Sequence, residues 1–388
     1  MLKKLVFLST FFLTLIILAG CQDNQSPITG PEADGSDDVL TLEKGDGHSS
    51  SAVYTLSNSA AGNEVLVFSR GRHGSLSPSG SFPTGGLGTG SGLGSQGAVV
   101  LSDKFLFAVN AGSDEVSVMK VRGDNLTLAD KVSSGGTMPI SLTVHRHLLY
   151  VLNAGGDGNI TGFEISKKGE LTPISGSTQP LSGAGVAPAQ IEFNPRGNVL
   201  VVTEKGTNSI TTYVVGHDGV ASAPTTQASA GDTPFGFEFD KRGRLIVSDA
   251  FGGVANAGAM SSYNVSPGGI SLISGPVANS QTAPCWVVVT KNGKFTYTSN
   301  TGTANISGYR IHRNGSITLF DDGGNTGYTG AGSSPIDMAL SNNSQYLYCL
   351  NAGNWTISVF RVNNRHGGLN PVQTVSGLPA GSVGLAAN

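Results

Sequence analysis

The chain has 388 residues, a formal charge of −3 at neutral pH and 56 glycines, with 13% of its residues charged. A weakly acidic chain without Lys/Arg runs lacks the electrostatic footprint of a nucleic-acid binder, so nucleic acid is set aside as a partner. Alternating apolar residues with no helical period, punctuated by glycine, exclude a helical bundle and point to an all-β fold.

The first element is MLKKLVFLSTFFLTLIILAGC, with two lysines, an apolar run from Leu5 to Ala19 and a Leu18-Ala19-Gly20-Cys21 lipobox. The run is too short for a comfortable spanning helix. It reads as a signal peptide over residues 1–20, cleaved before a lipidated Cys21. Gln22 rather than Asp follows the cysteine, so the expected location is the cell envelope, lipid-anchored outside the cytoplasm on the outer membrane. Losing Lys3 and Lys4 takes the formal charge from −3 to −5. Residues 21–50, rich in Asp, Ser, Gly and Pro, read as a flexible tether. The remainder, 51–388, is long for one core unless the architecture is modular. Cys285 and Cys349 are expected there as buried free thiols rather than a pair.

That remainder repeats one pattern. AVNAGSDEVSVMKV (108–121), VLNAGGDGNITGFEI (151–165), VTEKGTNSITTYVV (202–215), TSNTGTANISGYRI (298–311) and CLNAGNWTISVFRV (349–362) each read as a strand end, an Asn or acid, a turn with Gly and an alternating strand. Weaker copies lie at 55–70 and 247–265. The anchors Asn58, Asn110, Asn153, Glu204, Asp249, Asn300 and Asn351 are 43 to 52 residues apart. Before them come apolar segments starting near Gly97, Ile140, Ala189, Phe235, Cys285 and Ile336, five of them preceded by proline. Proline suits a strand start whose N–H no ladder needs. Gly hairpins such as KKGEL and HRNGS follow each anchor strand. The expectation is an all-β, seven-bladed β-propeller over 51–388, four antiparallel strands per blade. The first copy lacks an inner strand and the chain ends in SVGLAAN. Residues 382–388 are therefore expected to join the first blade and close the ring.

In such a ring the inner-strand starts and the anchors share an upper face, and the remaining hairpins share a lower one. Every histidine except His48 falls in a lower turn, which leaves a histidine base on the upper face unsupported. The stretch GGLGTGSGLGSQG (85–97) contains G-x-G-x-x-G, but strands rather than a helix follow it. It reads as a blade connection and pocket wall, not a nucleotide loop. Five Asn anchors read as turn formers. Glu204 and Asp249 break that pattern, and the inner strands of the same two blades carry Glu192 and Glu238. With Gln190 nearby and Asp337 from blade seven, these acids are expected along one side of the channel. Crowded carboxylates must be hydrated, share protons or bind a cation. Three readings stay open: a water-filled channel, a divalent cation such as Ca²⁺ at Glu192 and Glu238, or acid/base chemistry with Glu204 or Asp249 as base. Trp286 either stacks on a sugar ring or fills space between blades.

The segments VTEKGTNSI, TPFGFEFDKRGRLIVSDAFGG, CWVVVTKNGKFTYTSNTG and SSPIDMALSNNSQYLYCLNAG resemble the bacterial β-propeller lactonase family, which groups 6-phosphogluconolactonase-like and carboxymuconate-cyclase-like proteins. The resemblance covers roughly residues 52–388. It implies lactone hydrolysis, with His and Arg near the inner-strand starts in members that act on anionic lactones. Here those positions hold Gln96, Ile140, Gln190, Gly236, Trp286 and Asp337, with no cation to hold phosphate or carboxylate. The expected substrate is therefore a neutral, sugar-type lactone. The alternative is a non-catalytic envelope propeller, a monomer binding a glycan or a protein partner.

Overall fold

The computed structural model describes residues 51–388; the signal peptide, Cys21 and the tether expected at 1–50 lie outside the described residues. Seven antiparallel sheets are arranged around one axis. Their inner strands are Val99–Ser102, Pro139–His145, Pro188–Phe193, Pro234–Phe239, Pro284–Val289 and Pro335–Leu340 in blades two to seven, and Val383–Ala387 in blade one. The second, third and outer strands follow in sequence within each blade. In blades three and six the outer strand is split in two, Leu171–Pro173 with Gln179–Pro180 and Ile317–Leu319 with Gly327–Tyr328.

In blades three to seven the inner strand begins at the proline that the sequence marks, and the residue before it is bent. Met138, Ala187, Thr233, Ala283 and Ser334 all have positive φ, between 44° and 55°. The carbonyl exposed by this bend accepts the N–H that follows the anchor: Ala154 to Met138, Lys205 to Ala187, Ala250 to Thr233, Ala352 to Ser334. A non-glycine residue in this region costs about 1 kcal/mol. The repeated hydrogen bond offsets that cost and fixes where the chain turns into the channel.

The ring closes as the last residues suggest. Val53 pairs with Ala387, Tyr54 with Ala386 and Leu56 with Val383, and Asn388 Oδ1 accepts the Ala52 N–H at 2.5 Å. The core fills the wedges between blades with large apolar and tyrosine side chains. Tyr150 and Tyr297, at equivalent places in second strands, each donate a hydroxyl across a blade boundary, to the carbonyls of Gly219 and Gly367.

The anchors are seam residues rather than face residues. Asn300 donates to Ser307 Oγ at 2.8 Å and accepts from Asn279 of the previous blade at 2.9 Å. Asn351 donates to Ser358 Oγ, and Asn110 donates to Ser117 while accepting from Thr84. Glu204 does the same work with a longer arm: it accepts from Thr211 Oγ1 at 3.0 Å and from the backbone and hydroxyl of Ser182 in the preceding blade. Asp249 accepts from Ser261 at 2.5 Å while its other oxygen has no partner. Neither Glu204 nor Asp249 has any exposed surface. Of the two thiols expected to be free, Cys349 is free and buried, whereas Cys285 is not free, although the two do not pair with each other.

Two outcomes follow. Deleting residues 382–388 opens the ring and removes buried Val383 and Leu385; the melting temperature should fall by at least about 10 °C. Unchanged melting would show that blade one closes without that strand. Burial pushes the Asp249 carboxyl up to about 7, against about 4 in an unfolded chain. The native state thus binds this proton more tightly, so its contribution is fully present below about pH 4 and is lost as pH rises through about 7. Asp249→Asn keeps an acceptor for Ser261 and removes the charge. The variant should exceed the parent by up to about 4 kcal/mol at pH 8, the gap closing towards pH 4; a gap independent of pH in denaturant melts would contradict this account.

Candidate functional site in the channel

Each inner strand pairs on one side only and turns an unpaired edge of N–H and C=O groups to the axis. At one end of the channel side chains complete these edges. Gln96 donates to the Val287 carbonyl and accepts the Val287 N–H, both at 2.8 Å. Gln190 donates to the Phe237 carbonyl at 2.9 Å and accepts the Phe237 N–H at 2.7 Å. A primary amide offers the same donor and acceptor as a peptide unit, so each glutamine stands where a further strand would pair.

Gln96 ends the glycine-rich stretch that opens the connection from blade one to blade two. The segment from Gly94 to Gly97 crosses the axis. The Ser95 carbonyl accepts the Trp286 indole N–H, Gln96 N donates to the Ala189 carbonyl, and Leu142 N donates to the Gly97 carbonyl. Lys205 holds the Gly94 carbonyl at 2.6 Å over the Phe235 ring, and burial lowers its pKa to about 8. At Gly236 a Cβ would lie 2.3 Å from Gln96 Oε1 and 2.5 Å from the Cys285 carbonyl, so glycine is required for this approach. The stretch is therefore a plug. Trp286 packs beneath it, 3% exposed, its ring 4.8 Å from that of Phe235, and offers no stacking surface to a sugar.

Below the plug lies a cavity of about 620 Å³ lined by inner strands of all seven blades. It opens among the turns that follow those strands, past Asn194, Asp240-Lys241, Thr290-Lys291 and Ser341. This corrects the expected working surface. The sequence reading placed it where the inner strands begin, and that end is the plugged one.

Glu192, Glu238 and Gln190 lie together on the cavity wall, and Asp337 lines it separately. Glu204 and Asp249 do not: they sit outward in the blade seams, away from the lining. Glu192 and Glu238 are electrostatic neighbours on this wall, close enough that each carboxyl feels the other. Burial, and for Glu192 the neighbouring Glu238 charge, raises both carboxyls above the usual range. Both side chains are half-buried, so cavity water moderates the charge they carry. Gln190 donates to Glu192 at 3.2 Å and the Phe239 N–H to Glu238 at 3.1 Å. Asp337 is 3% exposed, lies beside the Met338 and Gly384 backbone, and its Oδ2 has no partner. Burial raises its pKa well above the carboxylate range. Among the described residues no three His, Cys, Asp or Glu side chains converge as metal ligands. A divalent cation at Glu192 and Glu238, one of the three readings left open, would thus have two protein carboxylates.

Sequence reasoning missed the rim. Lys241, Lys291 and His145 stand at the open mouth, and their place just after inner strands is the signal that would have found them. Burial, with Arg146 and His147 beside it, lowers the His145 pKa.

A family description, "Lactonase, 7-bladed beta-propeller", matches residues 50–184, 177–251 and 273–387. A 6-phosphogluconolactonase of Pectobacterium carotovorum is 20% identical over 71% of this chain and 66% of its own length. A protein from Lactobacillus plantarum superposes with a TM-score of 0.69 at 16% identity, covering 87% of this chain and 99% of that one. The periplasmic gluconolactonase of Pseudomonas aeruginosa gives a TM-score of 0.64 at 14% identity, covering 85% and 98%. At such identities the solved structures speak for the fold, while the family match spans most of the described chain: it belongs to the seven-bladed β-propeller lactonase family.

Proposed function

We propose that the protein is an exported, membrane-tethered hydrolase of a neutral, sugar-type lactone, acting inside the channel cavity. The observation that supports this reading is the pair of neighbouring carboxyls, Glu192 and Glu238, both raised above the usual range on the wall of a cavity with one open end. Hydrolysis needs a base to take a proton from the water attacking the carbonyl carbon, and an acid to protonate the ring oxygen as its bond breaks. A pair holding one proton supplies both. Gln190 and the Phe239 N–H orient the two carboxyls.

The ring that binds there is neutral, because no cation lines the cavity interior and the charge carried by the Glu192–Glu238 pair would repel an anion. Ring opening turns the neutral ester into a hydroxy acid, which ionises. The same carboxylates then repel the product towards Lys241 and Lys291 at the mouth. The lipobox at Leu18–Cys21 supports residence in the envelope, where a neutral lactone can reach the protein without crossing the inner membrane.

Hydrolysis of neutral and acidic lactones by the purified chain tests this. Neutral rings should turn over, and Glu192→Gln or Glu238→Gln should each lower kcat by about 10²–10⁴-fold. Glu204→Gln should cost stability and leave kcat within a few fold. Affinity without turnover would instead make this a binding propeller. The pH profile of kcat should be bell-shaped: activity is lost at low pH when both carboxyls are protonated, and at high pH when both are ionised. A profile flat across the acid limb would remove the pair from the chemistry.

A further inference from the structure

Charge is segregated between the two ends of the propeller to a degree that the overall balance hides. The turns on the mouth side, between first and second and between third and outer strands, hold twelve exposed Lys and Arg against three exposed acids, Asp103, Glu170 and Asp218. The inner ring, around the mouth, comprises Arg146, Arg196, Lys241, Arg242, Lys291 and Lys294. Farther out stand Lys167-Lys168, Arg313 and Arg365. Asp240, the other acid at the mouth, is consumed by its ion pair with Arg244. The turns at the plugged end hold one cation, the half-buried Lys205, beside Asp114, Asp157 and Asp232.

The chain also enters the fold on the basic side. Ala52 begins the second strand of blade one at the mouth end, where Asn388 meets it, and the Ser51 carbonyl accepts the Arg70 N–H. The described residues therefore begin at the basic face. We infer that this face docks on an anionic phospholipid surface, so that the cavity mouth is turned towards the membrane that holds the anchor. The geometry rests on the reading of residues 21–50 as a lipid-anchored tether and is independent of catalysis. A flexible segment of that length reaches about 30 Å, which keeps the basic face within range of the headgroups, while salt confines the attraction to roughly 10 Å. Cationic groups near such a surface add individually, so two concentric rings of them make a broad weak contact rather than a single pocket.

The test uses the chain from residue 22, which carries every strand of the ring and no acyl group. Sedimentation is measured with phosphatidylcholine vesicles containing roughly one-quarter phosphatidylglycerol and with pure phosphatidylcholine vesicles. Binding should require phosphatidylglycerol and fall at least about tenfold on raising salt from roughly 0.05 to 0.5 M. Lys167→Glu with Lys168→Glu and Lys294→Glu should lower it at least about tenfold. Thr137→Glu with Thr207→Glu, which make the opposite face more acidic, should leave it within about twofold. Melting curves check that all variants are folded. Equal binding to both vesicle types, insensitivity to the lysine changes, or capture by a soluble acidic polysaccharide with none by vesicles would each overturn the proposal. Lactone turnover measured on the same samples fails separately if the catalytic reading is wrong, and acylation of Cys21 in cells fails separately if the anchor reading is wrong.

Discussion

The unpaired inner edge of each blade is the constraint on which the rest of this molecule depends. A four-stranded blade satisfies its backbone outward through its ladder, but the innermost strand faces the axis with N–H and C=O groups that have no strand to meet. Burial without partners is costly, so every part of the channel must either supply substitutes or admit water. At one end Gln96 and Gln190 act as strand surrogates, and the space between blades three and six is filled. Towards the other end the side chains thin out, and the result is a cavity. Plug and site are two answers to one backbone problem.

Carboxyl groups extend this solution and give it chemistry. Asp337 lies against the backbone of its own strand and of the neighbouring inner strand, and Glu238 accepts the N–H of Phe239. A carboxylate used in this way brings charge into a place with no cation on the wall, so protons must be retained or shared. The raised pKa values of Glu192, Glu238 and Asp337 express that competition between backbone satisfaction and desolvation. The basic rim does not relieve it: Lys241 and Lys291 are exposed to water at the mouth.

The fold was legible because repetition averages out local ambiguity. Pro139, Pro188, Pro234, Pro284 and Pro335 mark inner strands individually, and the missing first inner strand matched the surplus last one. The site was legible in part. Glu192, Glu238, Gln190 and Asp337 lie on strands whose inward face follows from alternation. Glu204 and Asp249 were misplaced because an anchor at a strand end looks like a surface residue. The hydroxyl seven residues on, as at Ser117, Thr211, Ser307 and Ser358, was the available sign that the anchor turns inwards to its neighbours. Gln96 carried no such sign. It lies in a linker, and its partners Phe237 and Val287 are more than a hundred residues away. Charge segregation was invisible in a balance of 23 cations to 26 anions, although assigning each cation to its turn would have exposed it.

The plug also gives the channel a traffic rule. A tube open at both ends can take in one molecule while releasing another, whereas a blind one makes entry and exit mutually exclusive. With Gly94–Gly97 bonded across the axis, anything that leaves the cavity meets whatever is arriving at a single doorway. Residence time, not entry rate alone, then sets how quickly the cavity is vacated for its next occupant, and an accumulating outgoing species obstructs the incoming one without resembling it.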